Sequence, residues 1–222
     1  MFIIPCKFDK NYPIVFQCIE SIIKFHPNEK IVLVDSSSSD KSYFKDIDSS
    51  VQIFDVDNKN YALEAYNIGY NNNPHEDFYF CIHDSLVLNG NIDFVKNNDL
   101  TTIRWWDSPP TPMGRDENDQ DLSVWADEQL KKHMGFELPH YYKGVFGPMM
   151  LASNKTMQDL TQSGLFNILP INKFQSCATE RLLGIALGRL GYDVTNSLQG
   201  PMSDFYGLYD EKYVKKNYLL RM

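Results

Sequence analysis

Residues 78–88 read Phe78-Tyr79-Phe80-Cys81-Ile82-His83-Asp84-Ser85-Leu86-Val87-Leu88. A continuous apolar run from Phe78 to Ile82 suits a strand buried on both faces, as in a parallel sheet, and it stops abruptly on three polar residues. In open α/β sheets, ligands bind beyond the carboxyl ends of the strands. Polar groups placed there are candidates for chemistry.

Working outward, Phe2 to Pro5 is a short apolar strand leading into a polar loop at Lys7 to Asn11. From Pro13 to Phe25, Val15, Cys18, Ile19 and Ile22 recur at helical spacing; Pro13 suits a first helical turn and Pro27 stops the helix. Ile31 to Val34 forms a second strand, ending on Asp35 and a run of serines to Asp40, and Val51 to Val56 forms a third. A helix is expected over Tyr61 to Tyr70, closed by the turn formers Asn71 to Pro74. This alternation predicts a parallel sheet with helices on its faces, so that Pro5 to Lys7, Asp35 to Asp40 and His83 to Ser85 meet on one edge.

The second half is patterned differently. Ile103 to Trp106 reads as a short strand, and Ser108 to Asp121, with three prolines and several acids, reads as a long loop of the kind used for lids or binding. Within it the acidic stretch Asp116 to Asp121 is read as solvated rather than as a metal clamp. A short helix is expected over Ser123 to Met134, and a strand over Val145 to Ala152 that starts at the Gly147-Pro148 bend. Thr179 to Leu190 is apolar along one stripe and stops at Gly191, and Tyr209 to Leu220 reads as a final helix. Residues 1–98 and 99–222 are then two halves of one continuous domain.

Composition narrows the function classes. A chain of 222 residues can bury a substantial core, and its net charge of −8 disfavours broad binding to nucleic acid, which needs a basic surface. The four cysteines, Cys6, Cys18, Cys81 and Cys177, lack zinc-ligand spacing, and the N-terminus lacks a secretory pattern; reduced thiols in a cytoplasmic compartment are the simplest reading. No apolar segment is long enough to span a membrane, which leaves peripheral contact open.

The order of these motifs resembles the GT-A fold of nucleotide-sugar glycosyltransferases, particularly the inverting family 2. Ile31 to Asp40 resembles that family's apolar strand followed by Asp-Asp-Gly-Ser-Thr-Asp, with Ser36 and Ser37 departing from it. Ala65-Tyr66-Asn67-Ile68-Gly69 resembles the helix reading Ala-Arg-Asn-x-Gly. His83-Asp84-Ser85 sits where the family carries its metal motif, with Ser85 replacing a carboxylate. Val145 to Leu151 resembles the acceptor-side strand, and Thr179-Glu180 with Gly191-Tyr192 resembles the Glu-Asp motif and its trailing helix, Thr179 replacing the first acid.

The resemblance implies a mixed, mostly parallel, Rossmann-like α/β sheet flanked by helices in a single domain. It implies a UDP- or GDP-sugar donor, a glycan or lipid-linked acceptor, and a divalent metal, manganese or magnesium. Pro5, Cys6, Lys7, Asp35, His83 and Asp84 then line the nucleotide, with Asp84 and His83 as metal ligands; the residues alone equally allow a solvated Lys7, and a His83 packed under the strand end with Asp84 capping a turn. Asp35 is open to a second reading, as a cap for the serine turn. Glu180 takes the position of the catalytic base, or stabilises a helix N-terminus without catalysis. Trp105, Trp106 and Asp107 fall on the acceptor side; adjacent tryptophans cannot share a strand face, so one is expected in the core and one in the cleft. Asp204, in the Gly200 to Gly207 loop, is a weak substitute for a later metal-binding residue. A nucleotidyltransferase and a noncatalytic binding domain of GT-A descent are the alternatives. The first normally has a glycine-rich loop after the first strand, and Pro5 to Asn11 contains no glycine.

Overall fold

A computed structural model of the chain describes residues 1–56, 61–92, 99–108, 117–202 and 214–216, with no side-chain detail at 117–120 or 214–216. Its centre is a six-stranded sheet built from β1 (Phe2–Cys6), β2 (Ile31–Ser36), β3 (Val51–Val56), β4 (Phe78–Cys81), β6 (Leu100–Thr102) and β9 (Met150–Ser153). The order is β3-β2-β1-β4-β9-β6. The first four strands are parallel, whereas β9 runs antiparallel to both β4 and β6. The expected mixed, mostly parallel α/β sheet is therefore present, and both halves of the chain contribute strands to it.

Alternation along the strands creates a core on each face. Ile3, Val32, Val34 and Cys81 point into a layer with α2 (Tyr61–Asn72), α4 (Asn154–Gln162) and α5 (Lys173–Arg189). Phe2, Ile4, Cys6 and Leu33 point into the other, against Val15, Cys18, Ile19 and Ile22 of α1 (Ile14–Phe25). That helix follows the expected periodicity, with Pro13 as its N-cap residue and His26 closing it ahead of Pro27.

Several boundaries differ from expectation. The stretch Val145 to Ala152 is not one strand. β8 (Lys143–Val145) pairs with β7 (Trp105–Asp107) in a separate two-stranded ribbon, and the chain turns through Gly147 before entering β9. α3 (Glu117–Met134) begins earlier than Ser123, so 117–121 of the acidic stretch is helical rather than loop. Within the expected final helix over 209–220, residues Val214–Lys216 instead form β10, antiparallel to β5 (Leu86–Leu88). The remainder of that segment, Asp204 and most of the Gly200 to Gly207 loop, and 109–116 lie outside the described residues.

Most consequential is α5. It starts at Lys173 rather than Thr179, because Asn172 Oδ1 accepts from the Gln175 amide at 2.9 Å and so caps the helix. Glu180 thus lies two turns inside the helix, and the reading of it as an N-terminal dipole partner falls away.

Candidate functional site

The strand order reverses direction between β1 and β4, which makes their carboxyl ends the topological switch point where open α/β sheets bind ligands. Cys6 ends β1 and Asp84 follows β4 at this point. Both are buried, and the charge of Asp84 bears on the Cys6 thiol. Asp84 is flanked from both cores. Cys18 of α1, whose thiol donates to the His83 carbonyl at 3.8 Å, feels its charge from one side, and Tyr66 of α2 from the other. Burial first, and the Asp84 charge second, push the Cys6 and Cys18 thiols well above their ordinary pKa, so both remain protonated.

Asp35, at the end of β2, has no exposed surface. Its Oδ1 accepts from the Ser38 amide at 2.9 Å and from Lys41 Nζ at 2.5 Å, and its Oδ2 accepts from the Tyr43 hydroxyl at 2.5 Å. Burial would raise its pKa, but the donors Lys41, Ser38 and Tyr43 together outweigh burial and hold the carboxyl below the usual value. The turn-capping expectation for Asp35 is met, and both of its oxygens are engaged by the chain itself.

What Asp35 fixes is a pair of loops. The Tyr43 ring stacks on Phe8 at 4.1 Å, the Phe8 amide donates to Ser38 Oγ at 2.7 Å, and the Tyr43 hydroxyl lies 3.8 Å from Cys6 Sγ. The loop after β1 is thereby docked on the loop after β2. Between them opens a cavity of about 650 Å³, lined by Lys7, Phe8, Asp9, Lys10, Asn11, Tyr12, Ser39 and Asp40. Lys7 is exposed at its rim and Pro5 is half-buried within β1. A larger concavity of about 730 Å³ opens at the amino ends of the strands, by Met1, His26 and Glu76, away from all of these groups.

Glu180 belongs to a second cluster. Its Oε1 accepts from the Gly147 amide at 2.9 Å and its Oε2 from Trp106 Nε1 at 3.1 Å, while the Arg181 guanidinium lies over the Trp106 ring at 5.1 Å. Two glycines permit this packing. A Cβ at Gly144 would fall 2.2 Å from the Trp106 ring, and one at Gly184 would fall 1.9 Å from the Lys143 carbonyl oxygen, so larger residues would force the indole and α5 away.

Trp105 and Asp107 form a third group. Lys143 Nζ sits over the Trp105 ring at 4.2 Å and pairs with Asp107 at 2.7 Å, and the Tyr141 hydroxyl also donates to Asp107. The two tryptophans do part as strand alternation requires: Trp106 packs on the core beside Glu180, and Trp105 lies under Lys143. Of the three acceptor-side residues, Trp106 hydrogen-bonds to Glu180.

Register relates the first two clusters. Met150 of β9 pairs with Cys81 of β4, so the turn that precedes β9 and carries Gly147 adjoins the His83-Asp84 end of β4. Glu180, bound to Gly147, is held at the same sheet edge as Asp84. Among the described residues, no three His, Cys, Asp or Glu side chains gather as a metal-binding set.

Sequence reasoning missed Lys41 and Tyr43, which reach Asp35 from the following turn, and Lys143 and the Gly147 amide, whose partners Asp107 and Glu180 lie more than thirty positions away. The four cysteines are unpaired, and no helix among the described residues is long and apolar enough to cross a membrane. No family model and no curated protein matches the chain. Among solved structures it is similar to the bifunctional glycosyltransferase WbbM in its apo form, at 16% identity and a TM-score of 0.46, over 89% of this chain and 38% of that one. The chain thus spans well under half the length of that neighbour.

Proposed function

We propose that the chain is a glycosyltransferase that moves a sugar from a UDP- or GDP-sugar to a hydroxyl of a glycan or lipid-linked acceptor, with inversion. The observation that carries this reading is the β4–β9 register, which brings a half-buried glutamate and a buried aspartate to one edge of the sheet at its switch point.

In this reading the diphosphate lies against Asp84, and the nucleoside lies towards Pro5, Cys6, Lys7 and the cavity between the two loops. Asp35 serves the nucleoside through the loops it fixes, since its own oxygens are engaged. Asp84, with His83, would hold a divalent cation, which when bound neutralises charge on the departing diphosphate. Glu180 takes the proton of the acceptor hydroxyl, the acceptor oxygen bonds to the anomeric carbon, and the nucleoside diphosphate leaves with the electron pair of the broken bond. Trp106 and the Gly147 amide orient the carboxylate, each holding one of its oxygens.

A structure determined with UDP or GDP and manganese tests the reading. Diphosphate oxygens beside Asp84 and a nucleoside by Lys7 are expected. Nucleotide bound elsewhere, or not at all at millimolar concentration, contradicts it. Nucleotide bound as expected without turnover favours the noncatalytic alternative.

A further inference from the structure

We infer that the Tyr66 hydroxyl is a ligand contact, donating a hydrogen bond to an oxygen of the diphosphate held against Asp84; this rests on the reading of the site proposed above. Tyr66 lies in the second turn of α2 with no exposed surface, packed in the same core layer as Ile3, Val34 and Cys81. Its ring is accounted for by that packing. Its hydroxyl is not: the oxygen is buried and has no hydrogen-bond partner among the described residues.

A buried hydroxyl left unsatisfied is costly, and native structures rarely keep one unless water, an ion or a ligand completes it. Gly69, about one turn further along α2, packs directly on Ile3 of β1, and α2 runs back against the parallel strands, so Tyr66 lies about one turn nearer their carboxyl ends and the switch point. A neutral donor suits this position. Asp84 brings negative charge to an anionic ligand, whereas a phenol offers a hydrogen bond without adding repulsion or needing a counter-ion.

Tyr66→Phe removes this one oxygen and leaves the ring. Calorimetric titration with UDP and with GDP, each with and without manganese, is expected to show affinity about 5- to 10-fold weaker in the variant. The melting temperature of the free protein is expected to rise or hold, because an unsatisfied group has gone. Tyr79→Phe is the control, since the Tyr79 hydroxyl donates to the Asn73 carbonyl at 2.7 Å within the fold. It should lose stability and keep its affinity. Weaker nucleotide binding by Tyr66→Phe than by a Tyr79→Phe of equal or lower stability supports the inference. Unchanged affinity in Tyr66→Phe, whatever its stability, overturns it alone. Wild-type protein that binds neither nucleotide overturns both this inference and the site reading.

Discussion

The indole Nε1 of Trp106 donates to Oε2 of Glu180 at 3.1 Å, while the Gly147 amide holds the other oxygen at 2.9 Å. A carboxylate gripped by two N–H groups has a fixed direction, which a base attacking one hydroxyl requires. Trp106→Phe keeps most of the ring packing and removes one grip. Its kcat is expected to fall about 10-fold, equivalent to roughly 1.4 kcal/mol, with little change in KM for the donor; steady-state kinetics with each substrate varied checks this split.

Gly144 and Gly184 differ in what a methyl group would strike. At Gly144 it meets the Trp106 side chain, and at Gly184 it meets the Lys143 backbone carbonyl. A side chain can swing away, but backbone cannot without moving α5. Gly184→Ala is expected to cost about 3 kcal/mol or more of stability, and Gly144→Ala about 1–2 kcal/mol together with most of the activity, because the displaced indole releases Glu180. Urea unfolding of both variants decides the order.

How much of this was legible in the sequence depends on where each partner lies. The strands β1 to β4 and helices α1 and α2 follow from local periodicity, and Asp35 and Asp84 fall at strand ends as read. The start of α5 escaped because its first turns, Lys173 to Cys177, are largely polar and show no apolar stripe. A signal was present in Asn172 and Gln175, a cap residue followed three positions later by an amide. The Glu180–Trp106 contact carried no such signal. It is made across 74 positions by a helix, a ribbon and two close-packed glycines.

Ser37 has φ +57°, a left-handed conformation that favours glycine, and it stands in the turn where the resembling motif carries one. Ser37→Gly is expected to stabilise the protein by about 0.5–1 kcal/mol, the relieved strain outweighing the added freedom of the unfolded chain. Thermal unfolding of the variant measures it, and a loss of stability would contradict the strain.

The carboxyl of Asp35 has a lowered pKa in the fold, so its contribution is full above the unfolded value of about 4 and is lost as pH falls through the folded value. Asp35→Asn is expected to cost about 2–3 kcal/mol at neutral pH. This is less than for a fully buried pair, because Lys41 remains 36% exposed and keeps Asp55. Melting curves between pH 7 and pH 2 should show the gap between wild type and variant closing below about pH 4. A gap that does not change with pH contradicts an ionised Asp35.

Asp107 and Lys143 form an exposed pair beside Tyr141, with Lys143 Nζ over the Trp105 ring. Lys143→Ala is expected to shift stability by less than about 1 kcal/mol and to uncover the Trp105 ring, raising its fluorescence quenching by iodide. Unchanged quenching would contradict the cover.

The central claim is that Asp84 and Glu180 serve one transfer reaction. The direct measurement is release of free nucleoside diphosphate from a panel of UDP- and GDP-sugars by wild type, Asp84→Ala and Glu180→Gln, with and without manganese. The account predicts release from at least one donor by wild type, a loss of about 100-fold or more in Glu180→Gln with donor binding retained, and a loss in Asp84→Ala with weakened binding. Undiminished release by the Glu180→Gln variant would contradict it.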